Sequence, residues 1–228
     1  MKLKISNLTV CAVALSTTLA LTITPVHAAE RPFTVPGCKT ATSKGHTPIK
    51  VKQPAASVKP KTKSLTLTTN CGDIVISLLA TKAPITVNAL STLANAGYYN
   101  KSLCHRLTTE GIYVLQCGDP TLSGSGSPAG WIGYADENLP KDAPKNYPAG
   151  TVAMANSGPK TNGSQFFLVY KETYLPPKYT IWGKITKGLD LVQKIGEVGA
   201  YQMSGEQPMY VPDGYPIQMV EILKARAK

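Results

Sequence analysis

Metal-ligating residues are scarce in this sequence. Of three histidines, His27 falls in an apolar N-terminal run, leaving His46 and His105, and no Cys-x-x-Cys occurs. A tetrahedral zinc site needs several such ligands at short spacings, so no metal is expected. Acidic residues are also few, 13 against 24 basic ones. The adjacent carboxylates Asp136 and Glu137 would point apart on a strand or loop, which reads as a solvated loop rather than a catalytic pair. No Gly-x-Ser-x-Gly elbow frames a nucleophile. "GPKTNGSQ" has P-loop glycine spacing but offers Ser164 where the lysine should stand, and "GSGSPAG" lacks the third glycine of a dinucleotide fingerprint. Hydrolase, kinase and dehydrogenase chemistry therefore has no support, and no cofactor is implied.

What is present begins with the three-part pattern of a secretory signal. Lys2 and Lys4 precede an apolar run from Leu8 to Ile23, and Val26-His27-Ala28 supplies the small-residue end, so residues 1–28 are expected to be cleaved and the rest exported, to the cell envelope or beyond. Export favours disulfides. Losing Cys11 with the signal leaves Cys38, Cys71, Cys104 and Cys117, which allow three pairings.

The formal net charge of +11 falls to +9 once Lys2 and Lys4 are removed. Much of the excess lies in "KTATSKGHTPIKVKQPAASVKPKTKS", too poor in large apolar side chains to order itself. Residues 29–63 are thus expected to be a disordered basic tether, with contact to an anionic envelope surface as the sharper reading. Nucleic acid is not expected, because no aromatics interleave the basic run.

From Ser64 to Lys228 the texture is that of one domain. "SLTLTTN" and "IVISLL" alternate like hairpin strands around Cys71-Gly72-Asp73. "APITVNALSTLANAGYY" has Pro84 in a first helical turn, Ile85, Ala89, Leu93 and Ala94 near one face, and Gly97 as a stop. Short apolar segments follow in "GTVAMAN", "SQFFLVY" and "YTIWGKI". A brief helix then carries Leu189, Leu191, Val192 and Ile195, and "PIQMVEIL" is expected to be the closing strand. Many short strands with two helices suggest a mainly β, antiparallel barrel.

The polar residues Arg106, Gln116, Asn156 and Gln165 can hydrogen-bond without changing protonation, and they share segments with Tyr113, Phe166 and Phe167. "CHRLTTEGIYVLQCGDP", "GTVAMANSGPKTNGSQFFLVY" and "YTIWGKI" resemble, in order, the signature blocks of the cyclophilins, the peptidyl-prolyl cis-trans isomerases. The resemblance implies a closed eight-stranded antiparallel barrel capped by two helices, with a groove on its outer wall. It also implies isomerisation of X-Pro bonds in unfolded or flexible polypeptides, by a monomer. A binding module that docks proline segments without turnover is the alternative function.

Carried over by position, the resemblance makes Arg106 and Gln116 catalytic and Gln165 a groove residue, puts Ala155 and Asn156 on the groove edge, and forms the proline pocket from Tyr113, Val114, Phe167 and Leu175. Tyr174 and Tyr179 stand where familiar members carry Trp and His, so weakened cyclosporin binding is expected. The turn between Arg106 and Gln116 is about two residues longer than usual. His105, next to Arg106, must face the opposite side of a strand and reads as a hydrogen-bonded structural histidine. If the segment folds as a hairpin around "TTEG", Cys104 and Cys117 lie on neighbouring strands and can pair, leaving Cys38 for Cys71.

Overall fold

A computed structural model describes residues 33–228. The signal-peptide reading of residues 1–28 lies outside the described residues. The strands are β1 (Ser64–Thr69), β2 (Gly72–Leu78), β3 (Ser102–Leu103), β4 (Arg106–Thr108), β5 (Val114–Cys117), β6 (Thr151–Met154), β7 (Phe166–Val169), β8 (Ile181–Lys187), β9 (Ala200–Ser204), β10 (Gln207–Val211), β11 (Asp213–Pro216) and β12 (Glu221–Ala227). The helices are α1 (Pro84–Ala96) and α2 (Leu189–Val198).

Alternation decides which faces are buried. Leu65 and Leu67 of β1, and Ile74, Ile76 and Leu78 of β2, point into one core, while the residues between them face out. In α1, Val87, Leu90, Leu93 and Ala94 pack into the same core, and Ile85 is only half-buried at its edge. Gly97 ends the helix in the left-handed region at φ 85°, where glycine carries no Cβ penalty; its N–H bonds to Ala94 O, and that of Tyr98 to Leu93 O.

The strands form one antiparallel sheet in the order β10-β9-β11-β4-β5-β7-β6-β8-β2-β1-β12-β3. This corrects the expected closed eight-stranded barrel: among the described residues there are twelve strands, and no ladder joins the end strands β3 and β10. Two physical causes account for the difference. The run read as one strand around Cys104 bends, so that Cys104 N–H bonds Val220 O while His105 N–H bonds Gln116 O, and its halves β3 and β4 belong to opposite ends of the core sheet. The segment between α2 and the last strand also folds back on itself as β9, β10 and β11. The final strand is Glu221–Ala227 rather than "PIQMVEIL", because Ile217 and Gln218 still turn between β11 and β12.

Residues 33–63 contain no helix or strand, yet they are not a free tether. Cys38 is bonded to Cys71, and Val35 is buried in the main core. The Glu221 carboxylate accepts bonds from Thr42 N–H at 2.7 Å and from the Ser43 hydroxyl. Trp131 Nε1 donates to Val51 O at 2.7 Å. The composition argument fails here because the segment docks on a surface that is already folded and needs no core of its own.

The Asp136–Glu137 pair is also not a solvated loop. Glu137 reaches across to the start of α1, where it accepts Ile85 N–H at 3.1 Å, Thr86 N–H at 2.8 Å and the Thr86 hydroxyl at 2.9 Å. It supplies the cap that Ala83, the residue before the helix, cannot. Asp136 accepts Lys160 N–H and Asn162 Nδ2–H. Glu137→Ala is therefore expected to lower the unfolding free energy by about 1–2 kcal/mol, as for loss of a helix cap. Urea titration checks this, and a change under about 0.3 kcal/mol would show that the cap is dispensable.

Candidate active site

The groove is built by sheet register. Arg106 on β4 pairs with Gln116 on β5, Gln116 with Phe167 on β7, and Phe167 with Ala153 on β6. Cross-strand partners point to the same face, so one row of side chains crosses four strands on the outer wall. Parity then divides the two phenylalanines: Phe166 enters the main core, and Phe167 joins a second, smaller cluster with Val114, Tyr147 and Leu175.

Above that cluster lies a cavity of about 210 Å³ bordered by Arg106, Ile112, Val114, Phe167, Leu175 and Tyr179, with Gln116, Ala155 and Asn156 at its rim. Tyr113 is not among its walls. Gln116, Val114 and Ile112 alternate onto the groove face, so Tyr113 turns the other way and meets Tyr170 edge-on at 5.9 Å, with Lys171 Nζ 4.5 Å over its ring. Ile112 takes the place expected for Tyr113. Strand period alone, counted back from Gln116, carries that signal. The floor is rigid: Tyr147 and Tyr179 both contact the Phe167 ring, and Tyr147 Oη donates to Tyr179 O and accepts Tyr179 N–H. Asn156 Nδ2 donates to Lys178 O at 2.8 Å, tying the groove edge to the loop that carries Leu175 and Tyr179.

Arg106 is fixed from two sides. Its Nε and Nη2 donate to the two Asp213 carboxylate oxygens at 2.8 and 2.7 Å, and Nη1 donates to Gln116 Oε1 at 3.2 Å. Gln116 Nε2 donates to Gln165 Oε1 at 2.9 Å, and Gln165 Nε2 donates to Gly124 O and Gly126 O. A guanidinium has five N–H donors, so one hydrogen on each terminal nitrogen remains for a substrate. The hydrogen bonds to Asp213, opposed by partial burial, raise the guanidinium above its ordinary pKa and keep it cationic. Asp213 escaped the sequence reading because 107 residues separate it from Arg106. An exposed ion pair of this kind adds little to stability; its effect is on orientation.

The far end of the chain of amides rests on Asp119. Its carboxylate accepts Thr121, Gly124 and Gly126 N–H groups, shaping the loop to which Gln165 donates. A Cβ on Gly126 would lie 1.9 Å from Asp119 Oδ1, so only glycine permits this approach. Burial pushes the Asp119 carboxyl up, but the hydrogen bonds from Thr121 and Gly126 outweigh it and hold it below the usual carboxylate range. Cys104 is bonded to Cys117, so a disulfide sits directly beside Arg106 and Gln116.

His105 is buried, and neither ring nitrogen has a hydrogen-bond partner among the described residues, which corrects the hydrogen-bonded reading. Parity turns the ring inward from Arg106, away from water. Burial lowers its pKa, outweighing the nearby Asp119 carboxylate and the Gln165 side chain, which raise it, and the Arg106 charge acts in the same direction as burial. The folded state thus resists a proton that the unfolded chain accepts near pH 6.5. Its contribution to stability is whole above that pH and is lost progressively as pH falls toward the lower folded pKa. We expect unfolding free energy to decline below about pH 6.5 in the wild type and to decline less steeply in His105→Leu. Equal slopes between pH 6.5 and 5, the interval in which an ordinary imidazole takes up its proton, would discount His105.

The sequence model of "Cyclophilin type peptidyl-prolyl cis-trans isomerase/CLD" matches residues 64–226. A Mycobacterium leprae protein named "Probable peptidyl-prolyl cis-trans isomerase B" is 45% identical over 161 residues, covering 65% of this chain and 55% of its own. A "Peptidyl-prolyl cis-trans isomerase-like 1" of Gibberella zeae is 34% identical over 166 residues, covering 72% of this chain and 94% of its own. Among solved structures, a cyclophilin type peptidyl-prolyl cis-trans isomerase of Cryptosporidium parvum superposes with a TM-score of 0.57 at 26% identity, covering 73% of this chain and 98% of that one. The chain spans about half the length of the mycobacterial relatives it matches. With a matched region that includes both helices and every groove residue named above, the chain belongs to the cyclophilin-type peptidyl-prolyl cis-trans isomerase family.

Proposed function

We propose that this protein catalyses cis–trans isomerisation of X-Pro bonds in unfolded or flexible exported polypeptides. The observation that carries the reading is a cationic guanidinium with two uncommitted N–H groups at the lip of an apolar pocket sized for a small ring. A Cryptosporidium parvum relative was solved in the presence of the dipeptide Ala-Pro, which supports a proline-containing ligand for such a groove.

The mechanism follows from amide resonance. The planar bond rotates over a barrier of about 18–20 kcal/mol because twisting destroys its partial double-bond character. In the twisted state the prolyl nitrogen regains a lone pair, and an Arg106 N–H can donate to it. That lone pair is hardly available in the planar ground state, so the bond forms selectively in the transition state and lowers the barrier. Val114, Phe167, Leu175 and Ile112 hold the ring while Asn156 and Ala155 at the rim hold the preceding residue. NMR exchange on a short Ala-Pro peptide tests the activity: absence of line broadening or exchange transfer at micromolar protein would refute it.

Export is supported by the pattern of residues 1–28 and by the two disulfides. Seven lysines of the docked segment, Lys39, Lys44, Lys50, Lys52, Lys59, Lys61 and Lys63, are exposed and supply the charge for contact with an anionic envelope. Among the described residues no helix is long and apolar enough to cross a membrane.

Tyr174 bears on inhibitor binding. It is half-exposed, and its hydroxyl donates to Asp142 Oδ1 at 2.9 Å. A phenol engaged there does not replace an indole N–H at the groove. Tyr174→Trp is expected to tighten cyclosporin binding while leaving short-peptide turnover within about twofold, a change under 0.5 kcal/mol. Equal affinities of the two proteins by titration would contradict this.

A further inference from the structure

The β9–β10 hairpin and β11 extend the sheet beyond Arg106 and carry exposed apolar side chains, with Phe33 beside them. Phe33 is 67% exposed and Met203 55%, and from Ala200 to Pro212 the only charged residue is Glu206. A soluble surface seldom concentrates large apolar groups this way without a partner. Register places Met203 and its strand neighbours on the groove face. Asp213 pairs with Thr108, two residues along from Arg106, and its carboxylate grips the guanidinium. Tyr215 follows two residues on, pairs with Tyr201 and meets its ring at 6.0 Å; Tyr201 in turn pairs with Tyr210, and Met203 with Pro208. Side chains opposite one another, or two apart, share a face. Tyr201, Met203, Pro208 and Tyr210 border a shallow depression of about 400 Å³, which Met209, Ile217 and Phe33 complete from outside that register.

We infer that this face is a second docking site for the client chain: it binds apolar residues of the same unfolded polypeptide whose X-Pro bond occupies the groove. The occupant follows from continuity. Asp213 belongs at once to β11 and to the Arg106 ion pair, so the platform begins at Tyr215, two residues or about 7 Å along β11 from the residue that grips Arg106, and spreads over roughly 10 Å, two strand spacings. An extended client advancing about 3.3 Å per residue reaches it two to five residues from the proline. The inference rests on the isomerase reading and adds a substrate class, prolines flanked at that distance by Leu, Phe or Met.

The test compares two peptides: a tetrapeptide containing Ala-Pro, and the same peptide lengthened by six residues carrying two leucines and one phenylalanine, added at either end in turn. Wild type is expected to show about tenfold higher kcat/KM on one lengthened peptide, the gain from burying about 55 Å² of apolar surface. Met203→Ser/Pro208→Ser should keep tetrapeptide activity within about twofold and lose most of that gain. An equal gain in the variant, or no gain in wild type, overturns the platform. So does a concentration-dependent dimer in sedimentation that the variant abolishes, since a second copy would then be the occupant. Loss of tetrapeptide turnover in wild type would instead remove the isomerase reading on which the platform depends.

Discussion

Arg106→Ala is expected to lower kcat/KM on a short X-Pro peptide by about two to three orders of magnitude, while peptide affinity changes little. The size is that of removing one transition-state donor, roughly 2.7–4 kcal/mol. Affinity is spared because the pocket walls Val114, Phe167 and Leu175 remain, and because the prolyl nitrogen accepts a hydrogen bond only when the amide is twisted. Arg106→Lys should rescue little. An ammonium is a point charge on a flexible stem; it cannot engage both Asp213 oxygens and Gln116 while presenting a further donor in a fixed plane. Single-turnover or NMR exchange rates, measured together with peptide affinity, separate the two effects. Retention of more than about a third of the wild-type rate in Arg106→Ala, a loss under 1 kcal/mol, would remove Arg106 from the mechanism.

Breaking the Cys104–Cys117 disulfide should act on stability rather than on chemistry. The bond closes a loop with a sequence separation of 13, for which the chain-entropy account gives about 3 kcal/mol. Cys104→Ala/Cys117→Ala is the appropriate pair, since both sites are buried and alanine places no hydroxyl there. The expected loss corresponds to about 6–12 °C in Tm for a domain of this size. Well below the transition, turnover should persist, because the Arg106–Gln116 pairing and the Asp213 ion pair hold the groove without the sulfurs. Denaturant titration and activity at low temperature decide between the two roles. A loss of under about 1 kcal/mol, or an inactive but stable variant, would contradict the prediction.

These expectations depend on residues of unequal legibility. Arg106, Gln116, Gln165 and Phe167 were readable because each lies inside a block that resembles the cyclophilin signatures, and Leu175 because it could be placed by position between two of them. Ile112 was within reach of strand period, but the longer turn hid the register, and Tyr113 was read in its place. Glu137 looked like a loop carboxylate because its partners, the N–H groups of Ile85 and Thr86, lie 52 and 51 residues away.

The sequence by itself determined the two helices, the first hairpin and the mainly β, antiparallel character of the domain, and its resemblance to the cyclophilins pointed to the polar set of the groove and its cationic centre. The elements follow from local period and turn residues, which act within a few residues, whereas the groove residues follow from the resemblance of whole blocks. Only the tertiary structure decided the rest. It bent the Cys104 run so that β3 and β4 serve different sheet partners, folded β9–β11 into an extension of the sheet, laid residues 33–63 across the folded domain, and brought Asp213 to Arg106. Each of these is a contact between residues tens to more than a hundred positions apart. Such contacts depend on where folded surfaces meet, and no local propensity encodes that.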